Sequence, residues 1–246
     1  MSQIVKVDRR IEFAVDAAQD ANVYGDMLPK RMTSIDWFDQ KALNTTNDYT
    51  VTVDGTSDAV ALSAGGINGV TITTGSTDNE ISFLGTALIF DASNNPSIEA
   101  RVTIADVSGT SFFFGFSDAN TETTPASTID YADGTLVAAA TDAAGFVVDA
   151  DKSSSAVYVA SIATGGTVKG ALASPSVVWA DGETKSLRVS LDSSLGARYF
   201  IDGVQVGYQA LAVTDVPFCA IFNAGTRAND GSNTVIVKYL AKWQDV

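Results

Sequence analysis

Between Thr184 and Val206 the chain reads TKSLRVSLDSSLGARYFIDGVQV, three short runs in which alternate positions are apolar: Leu187, Val189 and Leu191, then Tyr199 and Ile201, then Val204 and Val206. A period of two gives each run one face for a core, as in a strand. Asp202-Gly203 separates the last two runs and predicts a two-residue type I′ turn, because both central residues of that turn need positive φ. From Tyr49 onward, clusters of Gly, Asn, Asp, Ser and Thr break the chain about every eight to twelve residues, the spacing of a sandwich or barrel. Strands are expected at 49–53, 70–74, 81–90, 97–104, 112–117, 146–149, 156–162, 185–191, 198–201, 204–208, 218–223 and 234–243. Ile98, Ala100, Val102 and Ile104 alternate with Glu99, Arg101 and Thr103, so that strand has one wet face. No repeat of fixed period occurs, which argues against a propeller or solenoid.

Residues 1–45 differ from residues 46–246 and are expected to form a separate docking arm. Ile4, Val7, Ile11, Ala14 or Val15, and Ala18 recur at three- and four-residue spacing, which predicts a short amphipathic helix ending near Tyr24-Gly25. Ile11, Phe13 and Val15 also alternate as a strand would. Beyond them, Met27, Leu28, Trp37 and Phe38 are large apolar groups set among charges, the kind of residue that anchors an interface. The arm carries six of the fifteen basic residues and seven acidic ones, so it is close to neutral while the remainder carries −13 of the net −14.

That charge repels nucleic acid and anionic membranes, and neither is an expected partner. No run approaches 18 consecutive apolar residues, and the N-terminal MSQIVKVDRRIEF places charges where a secretory signal needs an apolar stretch, so export by that route is not expected. The single cysteine, Cys219, lies in the apolar run 216–222 and reads as an inert core thiol. There is no histidine, which removes Ser-His-Asp and Cys-His nucleophilic sites and nearly all ordinary zinc sites. The segment Asp149-Ala150-Asp151-Lys152-Ser153-Ser154-Ser155 begins like a calcium loop but has Ser154 at its sixth position and Ala160 at its twelfth, where glycine and an acid belong. Asp130, Asp133, Asp230 and Asn233 are compatible with calcium too, yet turn chemistry alone explains them, so calcium is assigned to no residue and no cofactor is expected. Trp179, just before Ala180-Asp181-Gly182, is a candidate ring for stacking on a ligand or an interface.

The order of segments from about residue 48 to the end resembles a recurrent virion protein of tailed bacteriophages built on the concanavalin A-like (laminin G-like) jelly roll. The residues that carry the resemblance are Gly65-Gly66, Thr73-Thr74-Gly75 and Thr77-Asp78-Asn79-Glu80 ahead of Leu84, Ile98-Glu99-Ala100-Arg101-Val102, Phe113-Phe114-Gly115-Phe116, Leu187-Arg188-Val189, Phe200-Ile201-Asp202-Gly203 and the closing Thr234-Val235-Ile236-Val237-Lys238-Tyr239. It implies an all-β antiparallel sandwich, with the arm and its short helix at the N-terminus, serving as a head decoration or cement protein. Its expected partners are the major capsid protein and further copies of itself, as homotrimer or dimer, and its location is the head exterior after synthesis in the host cytoplasm. A glycan-binding module of a phage fibre or collar is the alternative, with host-surface glycans as partner. Jelly-roll glycosidases resembling this fold carry Glu-x-Asp-x-x-Glu on one strand, whereas Glu12, Glu80, Glu99, Glu122 and Glu183 stand singly here, so no enzymatic activity is expected.

Overall fold

The computed structural model describes residues 3–7, 10–14, 31–55, 57–64, 69–120, 127–227 and 231–245. The strands, in chain order, are β1 (Gln3–Val7), β2 (Arg10–Ala14), β3 (Arg31–Asp36), β4 (Tyr49–Val53), β5 (Ala59–Leu62), β6 (Val70–Thr73), β7 (Ile81–Thr86), β8 (Phe90–Asp91), β9 (Ser97–Ile104) and β10 (Thr110–Ser117). They continue as β11 (Ile129–Ala132), β12 (Thr135–Ala138), β13 (Ala143–Asp149), β14 (Val157–Ile162), β15 (Lys169–Leu172), β16 (Thr184–Leu191), β17 (Ala197–Ile201), β18 (Val204–Gln209), β19 (Pro217–Thr226) and β20 (Thr234–Asp245). One 3-10 turn, Ala92–Asn94, is the sole helical element among the described residues.

Two eight-stranded antiparallel sheets stack as a sandwich. The first runs β15-β14-β13-β10-β19-β7-β4 with β8 also on β19, and the second runs β18-β17-β16-β9-β20-β6-β5 with β3 also on β20. Alternation fills the space between them: Phe112, Phe114 and Phe116 of β10 face Ile98, Ala100 and Val102 of β9, Val189 of β16 and their neighbours. Phe114 stacks on Phe222 across the β10–β19 pair with ring centroids 4.8 Å apart, and truncating a phenylalanine so placed costs about 3–5 kcal/mol. The Asp202-Gly203 turn forms as expected, with φ of 50° and 81° and Ile201 paired to Val204.

The N-terminal expectation needs correction. Residues 3–7 and 10–14 are the two strands of a hairpin in a sheet of its own, pairing Ile4 with Phe13. The alternation of Ile11 and Phe13 prevails there over the helical spacing, because pairing satisfies two backbones at once. Residues 15–30, where the rest of the helix and the anchors Met27 and Leu28 fall, lie outside the described residues. The boundary at residue 45 also moves: β3 hydrogen-bonds along β20 from Arg31↔Asp245 to Asp36↔Leu240, and Phe38 is buried in the main core against Tyr49. Residues 31–45 are therefore part of the sandwich.

Candidate functional site

On the first sheet the middle of the outward face is apolar, with Phe83, Phe113, Val147, Ala160, Ile162 and Ile221 making one surface, while Asp149 and Asn223 on the same face accept from Tyr131 and Thr128. The β11–β12 hairpin, closed by Asp133-Gly134 with φ of 50° and 74°, straps across it and adds Ile129, Tyr131 and Leu136, so a second core replaces an open face. Phe113 can lean over β13 because Gly145 has no side chain; a Cβ there would meet the ring at 2.5 Å.

Arg227 fastens one end of this strap. Its guanidinium donates to Asp149 at 3.0 and 2.8 Å, to Asp130 at 2.9 Å, to the Tyr131 carbonyl at 3.0 Å and to the Asn79 side chain. Asp149, wholly buried, also accepts from the Tyr131 amide at 2.9 Å. Burial pushes the Asp130 carboxyl above its ordinary range, Arg227 pulls it back and Asp149 pushes it up again. The carboxylates that suggested the start of a calcium loop thus gather round a fixed organic cation. No group of three or more His, Cys, Asp or Glu suited to a metal ion occurs among the described residues.

No element made of described residues packs over the outer face of the second sheet. Register places Glu99 of β9 beside Arg188 of β16, Arg188 beside Phe200 of β17, and Ala241 of β20 on the other side of Glu99. Adjacent rows carry Tyr239 with Arg101, and Arg198 with Tyr208. Arg188 lies 4.0 Å over the Phe200 ring and Arg198 lies 5.0 Å over Tyr208. Tyr239 donates to Glu99 at 2.7 Å, and burial with that carboxylate beside it pushes the phenol up to about 12. Hydroxyl pairs Ser97–Ser190 and Thr103–Thr184 join the strands at 2.8 and 2.7 Å.

Trp37, the expected anchor, stands at the border of this face, 45 % exposed, its ring 5.3 Å from Tyr239. Phe38 next to it is 2 % exposed. The chain separates the two by giving Phe38 a φ of 51°, held by its amide on the Asp36 carboxylate at 2.8 Å. That backbone is unusual for a bulky side chain. Trp179 does not present a ring: it is wholly buried, edge-on to Phe112 at 6.3 Å, and its indole donates to the Glu183 carbonyl at 3.0 Å. Its backbone is at a turn, but the side chain points into the sandwich and finds its polar partner there. Arg101, Arg188, Arg198, Phe200, Tyr208 and Tyr239 were not among the sequence candidates; their signal is the polar half of each strand's alternation.

No family model and no curated protein sequence matches this chain. Solved structures do. A protein of unknown function from Shewanella oneidensis MR-1 superimposes with a TM-score of 0.54 at 12% identity, covering 88% of this chain and 87% of that one. The Emp47p carbohydrate recognition domain gives 0.59 at 13% identity over 88% and 97%, and the catalytic domain of an endo-1,3-β-glucanase (laminarinase) from Thermotoga petrophila RKU-1 gives 0.58 at 12% over 86% and 96%. This chain therefore has the concanavalin A-like jelly-roll fold, an antiparallel β-sandwich found in carbohydrate-recognising and glycan-cleaving domains.

Proposed function

We propose that this chain is a non-catalytic structural protein of a tailed-bacteriophage particle, a decoration or cement protein on the outside of the head that binds the major capsid protein and further copies of itself. What supports this most is the covered first sheet: among the described residues the strap lies over its outer face, and Phe83, Phe113 and Ile221 are buried beneath it where a sugar-cleaving face would present carboxylates. The protein then acts through its surface, as an assembly module does. The β1–β2 hairpin, hydrogen-bonded in a sheet of its own and meeting the sandwich at β3, suits a docking element, because a two-stranded hairpin with little further packing is marginal in water. The acidic body suits the exterior, since packaged genome would repel it from inside. Each copy that binds assembled shell but not free subunits shifts the equilibrium toward the particle, and a lattice repeats the effect. The test compares particles with and without this protein, imaged and then heated. Density over the head and earlier loss of DNA without the protein are expected, with a chain lacking residues 1–30 failing to bind; density on the tail would overturn the reading.

Exposed aromatic rings favour a second reading, a glycan-binding module of a fibre or collar. Trp37, Tyr208 and the Trp37–Tyr239 pair offer flat apolar surface on which sugar rings stack. Particles that keep their DNA but lose attachment to host glycans when the protein is removed would decide for it.

A further inference from the structure

After residue 45 the chain has four arginines, Arg101, Arg188, Arg198 and Arg227. Arg227 is buried in the strap's clamp, and the other three all stand on the outer face of the second sheet, where Glu99 is the one acidic residue on β9, β16 and β17 and Asp192, just past β16, pairs with Arg198 at 3.4 Å. A protein of net charge −14 thus carries a locally basic, aromatic face. Trp, Tyr and Arg are also the residue types that dominate binding energy at protein interfaces. Two of these arginines are held against rings, so less freedom is lost when they are engaged. Arg188 Nε is shielded from solvent and makes no hydrogen bond with any described residue.

The loops at one end of the sandwich are the electrostatic opposite. Asp54 and Asp58 stand in the crossing from β4 to β5, accepting from the Ile81 amide at 2.7 Å and the Gly55 amide at 3.0 Å, with Glu80 beside them. Asp78, Asp133 and Asp151 lie in loops of the first sheet and its strap, where Lys152 and the enclosed Arg227 are the cations among the described residues. Asp54 and Glu80 raise the Asp58 carboxyl on top of its burial, and Asp149, Asp78 and Asp133 do the same to Asp151 against the pull of Arg227, so within each group the acids reinforce one another.

We infer that the basic face docks onto the acidic loop end of a second copy of this chain. The contact is head-to-tail, because two basic faces placed together would repel. Such heterologous contacts close into a ring or run on as a chain, and do not give an isologous dimer. This goes beyond the decoration reading and stands or falls without it, since the isolated chain is sufficient for the contact.

Sedimentation velocity of the purified full-length protein tests it. Association that rises with concentration is expected in about 0.05 M salt, with most of it lost at about 0.5 M, where the Debye length has shrunk to roughly 4 Å. R101E/R198E and D78K/D151K should each be monomeric with unchanged circular dichroism, and an equimolar mixture of the two should associate again, because the acidified face of one meets the basic loops of the other. A monomer throughout, or association that ignores both salt and these charge reversals, would overturn the inference. So would a monomer whose face is given to an anionic glycan: retardation of the protein in a gel containing polygalacturonate but not dextran, abolished by R101E/R198E.

Discussion

Arg227 is 3 % exposed and gathers acceptors from three separated segments, Asn79, Asp130 with Tyr131, and Asp149. Replacing it with methionine would leave Asp149 wholly buried beside a second carboxylate with no cation between them. Breaking a buried pair from one side costs about 3–5 kcal/mol, so R227M should lose that much in urea unfolding, and adding D149N should recover part of it by removing the stranded charge. A loss below about 1 kcal/mol, the worth of an exposed pair, would show that water reaches the cluster. The sequence hides this clamp because Arg227 sits among turn residues while its partners lie 78 to 148 positions away. Trp179 misleads for the converse reason: the turn beside it was legible, but only packing against Phe112 fixes which way the indole points.

At the scale of elements, runs with apolar alternation were legible, short ones such as Tyr49–Val53 and Val70–Thr73 included, and strands without it were not. Ser97–Ile104 is a strand as expected, since four inward apolar positions leave no competing period. Lys169–Leu172 is exposed along its whole length and carries no apolar signal. The β11–β12 strap could have been found, for Asp133-Gly134 is the same turn dipeptide as Asp202-Gly203, but its strands are only four residues each. Replacing residues 129–138 by a short Gly-Ser link should leave the far-ultraviolet spectrum β-rich while uncovering Phe113, Val147 and Ala160, so the variant should bind a hydrophobic dye and aggregate. Absence of dye binding would mean that something other than the strap shields the face. The moved arm boundary gives a paired outcome: a chain starting at residue 31 keeps β3 on β20 and should melt like the full protein. One starting at residue 46 bares a flank of β20, loses buried Phe38 and should melt several degrees lower or aggregate. Equal melting of the two would return residues 31–45 to the arm.

Over the whole molecule, 29 acidic residues face 15 basic ones, and the fold works against some of the carboxylates it holds. Burial raises Asp58, Asp130 and Asp151 above the ordinary carboxylate range, and neighbouring acids add to the rise in each. A carboxyl with a raised folded pKa binds its proton more readily in the native state than in the unfolded one. Its stabilising share is complete below the unfolded pKa and is lost as pH climbs through the folded value. Asp91 and Glu183 have the opposite sign, lowered chiefly by hydrogen bonds from Ser93 and Lys185, so their contribution disappears only as pH falls beneath the usual range. As pH falls toward the carboxylate range the first group takes up protons ahead of the second, and relief of self-repulsion acts in the same direction. The melting temperature in calorimetry should therefore rise as pH is lowered from neutrality into the folded range of these raised carboxyls, before low-pH protonation of the second group takes over. Asp130→Asn should flatten part of that rise, since the neutral amide no longer carries the buried charge beside Asp149. A melting temperature that falls steadily over the same window, in wild type and variant alike, would mean that Arg227 outweighs both the burial and the crowding of these acids.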